Sequence, residues 1–160
     1  MSASKKQKYV LDTNILINFG LFNPISYNKG FWDRLEALLD SGDWILLDVV
    51  VGEIKYNKDL IAWCKKQKDE GRVTSIEDVH RIRAIGINKQ YKMIDAKTFK
   101  SEVDTFIIAY AEDKKLTIFT REGYKDPLDP NALYKIPDVC KLLKVRFERL
   151  PERFLENIGY

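Results

Sequence analysis

The chain has 160 residues, enough for one ordinary domain that buries its own core without disulfide or metal staples. Its residues are 45% hydrophobic and 32% charged, which excludes the disordered and fibrous classes. A net charge of +3, from 27 basic and 24 acidic residues, permits a polyanionic partner without requiring one.

The N-terminal MSASKKQK is basic, but the apolar run behind it is only Tyr9 to Leu11, too short for a signal peptide. No stretch reaches the ~18 consecutive apolar residues of a membrane helix. The expectation is a soluble cytoplasmic protein with no membrane partner, one domain spanning 1–160, and residues 1–7 flexible. Cys64 and Cys140 lie far apart with no CxxC spacing, which argues against a disulfide framework and for a reducing compartment.

In chain order, KYVL (8–11) reads as a strand and 13–20 as the start of a helix. Phe31, Leu35, Leu38 and Leu39 keep the i, i+4, i+7, i+8 spacing of an amphipathic helix over 31–41, closed by Ser41-Gly42. WILL (44–47) is a second strand, followed by helices over 49–56 and from Leu60 to Gly71. Residues 76–92 form a polar helix that Gly86 interrupts. Ser101 opens a helix with the apolar body Phe106, Ile107, Ala109, Tyr110 and Ala111, and Ser101-x-x-Asp104 matches a capping box. LTIF (116–119) is the clearest buried strand, and DPLDPN (126–131) is a loop. Pro137 suits the first turn of a helix over 137–143. VRF (145–147) is a last strand, and a C-terminal helix starts at Leu150. Strands alternating with helices predict an α/β three-layer sandwich with a mostly parallel central sheet.

Several chemistries are missing. The single histidine, His80, lies in the polar helix and reads as a surface residue, so a Ser-His-Asp or Cys-His site has nothing else to build on. GxSxG, GxxxxGK[ST], GxGxxG and HExxH do not occur. Acidic residues remain.

Asp12 ends the first strand, where parallel folds bind ligands, although Asp is also a favoured helix N-cap. Asn14 shares that ambiguity between a turn residue and a polar group orienting Asp12. Glu53 follows the second strand as the lone acid among Val49, Val50, Val51 and Ile54, where a solvated helix face is the simpler explanation. Asp104 sits in the first turn of a helix whose body is nearly all apolar. A capping role competes with a place at the mouth of a crevice, and Glu102 is a weaker candidate facing elsewhere. Glu122 lies two residues beyond Thr120 at the end of the clearest strand, before the turn residue Gly123. Were these acids clustered, two carboxylates ~4 Å apart would repel by about 4 kcal/mol at an effective dielectric near 20. Protons or a cation would then have to enter. With oxygen ligands only, Mg²⁺ or Mn²⁺ suits better than zinc, and the chemistry that follows is phosphodiester hydrolysis.

YVLDTNILI (9–17), Glu53 after the second strand, VDTFIIAYA (103–111) and LTIFTRE (116–122) together resemble the PIN-domain nucleases, including the VapC-type ribonuclease toxins. The tail KIPDVCKLLKV (135–145) resembles a less characterised, toxin-like branch. The resemblance implies a PIN-like fold and an Mg²⁺- or Mn²⁺-dependent endoribonuclease. Asp12, Glu53, Asp104 and Glu122 are its catalytic acids, the metal falling to Asp12, Asp104 and Glu122, with Asn14 and Thr120 as supporting groups. The fourth acid, often Asp in that family, is Glu here. A type II toxin role, with an antitoxin partner and a homodimer, is implied in the same way. An RNA-processing nuclease or a non-catalytic RNA- or protein-binding module on the same fold are the alternatives. RNA would be met by Arg81, Arg83, Lys100 and Arg121, with Lys89, Lys92 and Lys97 nearby and Tyr91 and Tyr124 available for stacking; a solvated charged face explains these cations equally well.

Overall fold

The computed structural model describes residues 8–122 and 133–149. Among them five short strands, β1 (Tyr9–Leu11), β2 (Trp44–Leu47), β3 (Val73–Thr74), β4 (Thr117–Phe119) and β5 (Phe147–Glu148), form one sheet in the order β3-β2-β1-β4-β5. Every pairing is parallel, with Tyr9 opposite both Trp44 and Thr117. Parallel neighbours need crossovers, and among the described residues seven helices supply them: α1 (Thr13–Phe22), α2 (Lys29–Ser41), α3 (Asp48–Glu53), α4 (Lys58–Asp69), α5 (Asp78–Tyr91), α6 (Glu102–Lys114) and α7 (Ile136–Leu143). All of β1 and β4 is buried, as continuous apolar runs must be when helices cover both faces of a sheet.

Large rings fill the space between layers. Tyr9 lies 5.5 Å from Phe119, which lies 5.4 Å from Trp44; Trp44 stacks with Phe19 at 6.3 Å. Phe19 then leads through Phe31 and Trp32 to Trp63 at centroid spacings of 5.3, 5.6 and 4.9 Å. Helix α2 is amphipathic as its spacing predicts, burying Phe31, Trp32, Leu35 and Leu39, and it stops at Gly42, whose φ of 78° suits glycine.

The sheet order reverses beside β1. Strands β2 and β3 extend to one side and β4 and β5 to the other, so the crevice at the carboxyl ends of β1 and β4 is a topological switch point. Asp12 follows β1 and Thr120 follows β4, placing both at that crevice.

Several expectations need correction. Strand β3 was not anticipated. The last strand is Phe147–Glu148 rather than 145–147, because the Val145 N–H closes α7 on the Cys140 carbonyl. Helix α3 ends at Glu53, short of 56, and α5 runs unbroken through Gly86, where an added Cβ would meet only the tip of Arg83. Ser101 makes no cap bond: its φ of 70° takes it out of the geometry a capping serine needs. His80 is not a surface residue. It is 1% exposed, with Nδ1 accepting from the Glu77 N–H at 3.2 Å and Nε2 2.8 Å from Asp113 Oδ2, its ring against Tyr110. The histidine thus ties α5 to α6. The loop expected over 126–131, the helix from Leu150, Tyr124 and residues 1–7 lie outside the described residues.

Cys64 and Cys140 are both free and buried, and burial pushes each thiol up to about 12. Both are therefore neutral apolar fillers rather than nucleophiles. Among the described residues no helix is long and apolar enough to cross a membrane.

Candidate active site

Asp12 is the N-cap of α1 and also more than a cap. Its backbone is extended, φ −82° and ψ 152°, and Oδ1 accepts the Thr13 N–H at 2.7 Å. The second oxygen, Oδ2, accepts the Thr120 hydroxyl at 2.8 Å across 108 residues of sequence. That hydroxyl in turn accepts the Glu122 N–H at 3.0 Å, while the Thr120 N–H bonds the Glu148 carbonyl. Thr120 is wholly buried and Asp12 is 2% exposed. The pair locks the ends of β1 and β4 together and sets the direction of the chain toward Glu122.

The remaining groups converge from other elements. Glu53 closes α3 and accepts the Thr13 hydroxyl on Oε2 at 2.5 Å. Asn14 Oδ1 accepts the Arg121 N–H at 3.2 Å, so the expected supporting residue acts on the backbone after β4 rather than on Asp12. Glu122 Oε2 accepts the N–H of Ile136, the first residue of α7, at 3.2 Å. A carboxylate there meets unsatisfied amides and the positive end of the helix dipole. Asp104 stands in the first turn of α6.

Electrostatics joins these groups into one cluster. Burial raises Asp104 to about 8, and the charges of Asp12, Glu122 and Glu53 push the same way. Asp12 is raised to about 7, chiefly by burial and further by Glu122 and Glu53, against the bonds from Thr120 and Thr13. Burial also raises Glu53, with the Thr13 bond opposing. Cys140 feels Glu122 and Asp12, which places α7 along the wall of the same crevice. Hydrogen bonds through Thr13 and Thr120 thus link Asp12, Glu53 and the Glu122 backbone, while Asp104 is tied to them by charge alone. Sequence reading missed two partners, the Thr13 hydroxyl and the Ile136 amide. Pro137 marked the helix start, but nothing local indicated that Glu122 would occupy it.

Among the described residues no group of three His, Cys, Asp or Glu side chains is close enough to enclose a metal ion. The donor type nonetheless suits a hard divalent cation: the carboxylates are oxygen ligands, and Asp12 and Asp104 are raised first by burial and then by the neighbouring acids.

The expected cations are spread more widely. Arg121 is exposed beside Thr120 and Glu122, its carbonyl accepting from Arg149 Nε at 3.2 Å. Arg81 lies over the Phe106 ring at 5.5 Å. Arg83 is engaged by both oxygens of Glu112, at 2.6 and 3.0 Å, near the far end of α6. Lys89, Lys92, Lys97 and Lys100 are exposed, and Tyr91 packs on Tyr134.

A protein-family model described as "Domain of unknown function (DUF4411)" matches residues 9–157. The chain belongs to the DUF4411 family. Among solved structures, this DUF4411 chain is similar to VapBC2 from Rickettsia felis bound to a DNA fragment from its promoter. That likeness has a TM-score of 0.50 and 17% identity, covering 91% of this chain and 100% of the other. FitAcB from Neisseria gonorrhoeae gives 0.45 and 19% over 87% and 95% of the two chains, and FitAB bound to the IR36 DNA fragment gives 0.48 and 18% over 90% and 98%. No curated protein matches. At 17% identity the Rickettsia likeness is one of fold: the DUF4411 chain has the PIN-like, VapC-type α/β architecture.

Two measurable consequences arise at this site. Thr120→Val keeps the shape but leaves Asp12 Oδ2 and the Glu122 N–H without a partner, at an expected cost of about 1–3 kcal/mol in chemical denaturation. An unchanged midpoint would mean that the two bonds contribute nothing net. The second concerns pH. Asp12 and Asp104 in the folded protein hold protons to about 7 and 8, whereas the ordinary value is 3.8. Between these limits the folded state binds more protons than the unfolded chain, so this contribution to stability is full below about pH 4 and is lost as pH rises through 7 to 8. In EDTA the Tm should therefore fall between pH 6 and pH 8.5, and fall less in Asp104→Asn. Equal slopes for the two proteins would contradict the raised values.

Proposed function

We propose that this chain is a divalent-metal-dependent endoribonuclease that hydrolyses RNA phosphodiester bonds, and the toxin half of a toxin–antitoxin pair. One observation carries the nuclease reading. Asp12, Glu53 and the Glu122 backbone are linked through Thr13 and Thr120 beside the sheet's switch point, and the charges of all three acids act on Asp104. Burying like charges together is costly unless a cation is part of the working site. The PIN-like fold and the ordered matches over 9–122 support the same choice, and the fold likeness to VapBC2 supports the toxin role.

A bound Mg²⁺ or Mn²⁺ would supply countercharge to a phosphoryl oxygen and make a water nucleophilic near neutral pH. Asp12, Asp104 and Glu122 would hold the ion. Thr120 fixes the orientation of Asp12 and the path of the chain at Glu122, and Asn14 holds Arg121 where its side chain can meet a backbone phosphate. The Thr13 bond on Glu53 leaves Oε1 free to orient water or accept its proton.

Purified protein mixed with RNA should cleave it in Mn²⁺ and be silent in EDTA. Expression without a partner should arrest growth, and Asp12→Asn should relieve the arrest. Cleavage that survives EDTA, or arrest that survives Asp12→Asn, would contradict the reading.

A further inference from the structure

A sizeable cavity lies at the other end of the sheet from the acids. The starts of β1, β4 and β5 and the ends of α6 and α7 surround about 760 Å³. Lys8, Lys114, Lys115, Lys144 and Arg146 line it, and Glu112, the acid on its wall, is engaged by Arg83. Lys114 has Asp113 3.8 Å away as its own counterion. Five cations around one committed carboxylate is a local excess in a chain whose totals are 27 basic and 24 acidic residues.

Lysines near helix C-termini are ordinary, because they answer the helix dipole, and this covers Lys114, Lys115 and Lys144. It does not cover Lys8 and Arg146, which come from the starts of strands, nor the concavity that gathers all five. Both helix ends also turn through a left-handed lysine, Lys115 at φ 55° and Lys144 at φ 58°, where glycine is the usual residue. The volume exceeds what one phosphate needs, and cations drawn from two helices and two strands suit several phosphates in a row.

We propose that this basic cavity binds the phosphate backbone of single-stranded RNA, a second contact remote from the acid cluster. It rests on the nuclease reading for the identity of the polyanion. Lys8 and Asp12 stand at opposite ends of β1, roughly 13 Å apart at the rise of a strand, so binding here is separable from chemistry there.

The test is fluorescence anisotropy of a labelled single-stranded RNA in EDTA, comparing the protein with Lys115→Gly/Lys144→Gly/Arg146→Gln. Both glycines relieve left-handed residues, so the fold should persist by circular dichroism. Affinity should fall about ten-fold or more, and the slope of log affinity against log salt should become shallower by roughly 2. Cleavage of a dinucleotide substrate in Mn²⁺ should be retained. Unchanged affinity and slope would overturn the second site, as would loss of affinity for a nucleoside triphosphate but not for RNA. Should the unmodified protein bind RNA through this cavity yet cleave nothing in Mn²⁺, the cavity stands and the nuclease reading fails.

Discussion

Asp104→Asn should reduce Mn²⁺-dependent RNA cleavage by about 10³-fold or more while leaving the fold intact, because an amide keeps the shape of the side chain and loses its charge. The expectation follows from its place: Asp104 is half-buried in the first turn of α6 and feels Asp12, Glu122 and Glu53 together. Removing one of four mutually repelling carboxylates relieves that repulsion, so the metal-free Tm at pH 8 should hold or rise. Activity and stability moving in opposite directions is the signature of a site whose groups are arranged for a ligand rather than for folding. Single-turnover cleavage and a thermal melt on the same preparation read both. A Tm that collapses along with activity would make Asp104 a structural residue.

Trp44→Ala should show the reverse pattern, a large loss of stability. Trp44 is buried at the start of β2, with Phe19, Phe119 and Tyr9 within 6.3 Å of its ring, at the centre of the aromatic chain that joins the layers. Truncating a large buried ring leaves a cavity that its neighbours fill only in part, at a cost of about 3–5 kcal/mol. That is a large share of the ~5–15 kcal/mol typical of a domain, and equals a Tm fall of roughly 6–20 °C. Trp44→Phe should recover much of it, since a ring still bridges Phe19 and Phe119. Melts by circular dichroism decide this, and a fall of only a degree or two for Trp44→Ala would show that the aromatic chain is not the core's main support.

The parts of the fold legible in the sequence were those with strong local signals. YVL, WILL and LTIF are runs buried on both faces, and their strands lie within a residue of the expected bounds. β3 is two residues long and leaves no periodicity to read. His80 looked solvated because its neighbours in α5 are polar; the residues that bury and bond it, Tyr110 and Asp113, come from a helix thirty residues on. Ser101-x-x-Asp104 was misleading for a similar reason: locally it is a capping pattern, but Ser101 turns left-handed and Asp104 belongs to the crevice.

The acids drew attention in the sequence because three of the four follow a strand or open an apolar helix. What orders them was not legible there. The Thr120 hydroxyl bridging Asp12 and Glu122, the Thr13 hydroxyl on Glu53 and the Ile136 amide on Glu122 depend on which strands become neighbours, and adjacency in a parallel sheet is set by crossovers rather than by local spacing.

Calorimetric titration of Mn²⁺ into the protein at pH 7, repeated in buffers of different ionisation enthalpy, tests the central claim most directly. Asp12 and Asp104 retain protons to about 7 and 8, and ligand carboxylates must give theirs up. The expected result is saturable binding that releases protons to the buffer and is lost in Asp104→Asn. No binding, or binding without proton release that Asp104→Asn leaves unchanged, would contradict a metal site built on these carboxylates.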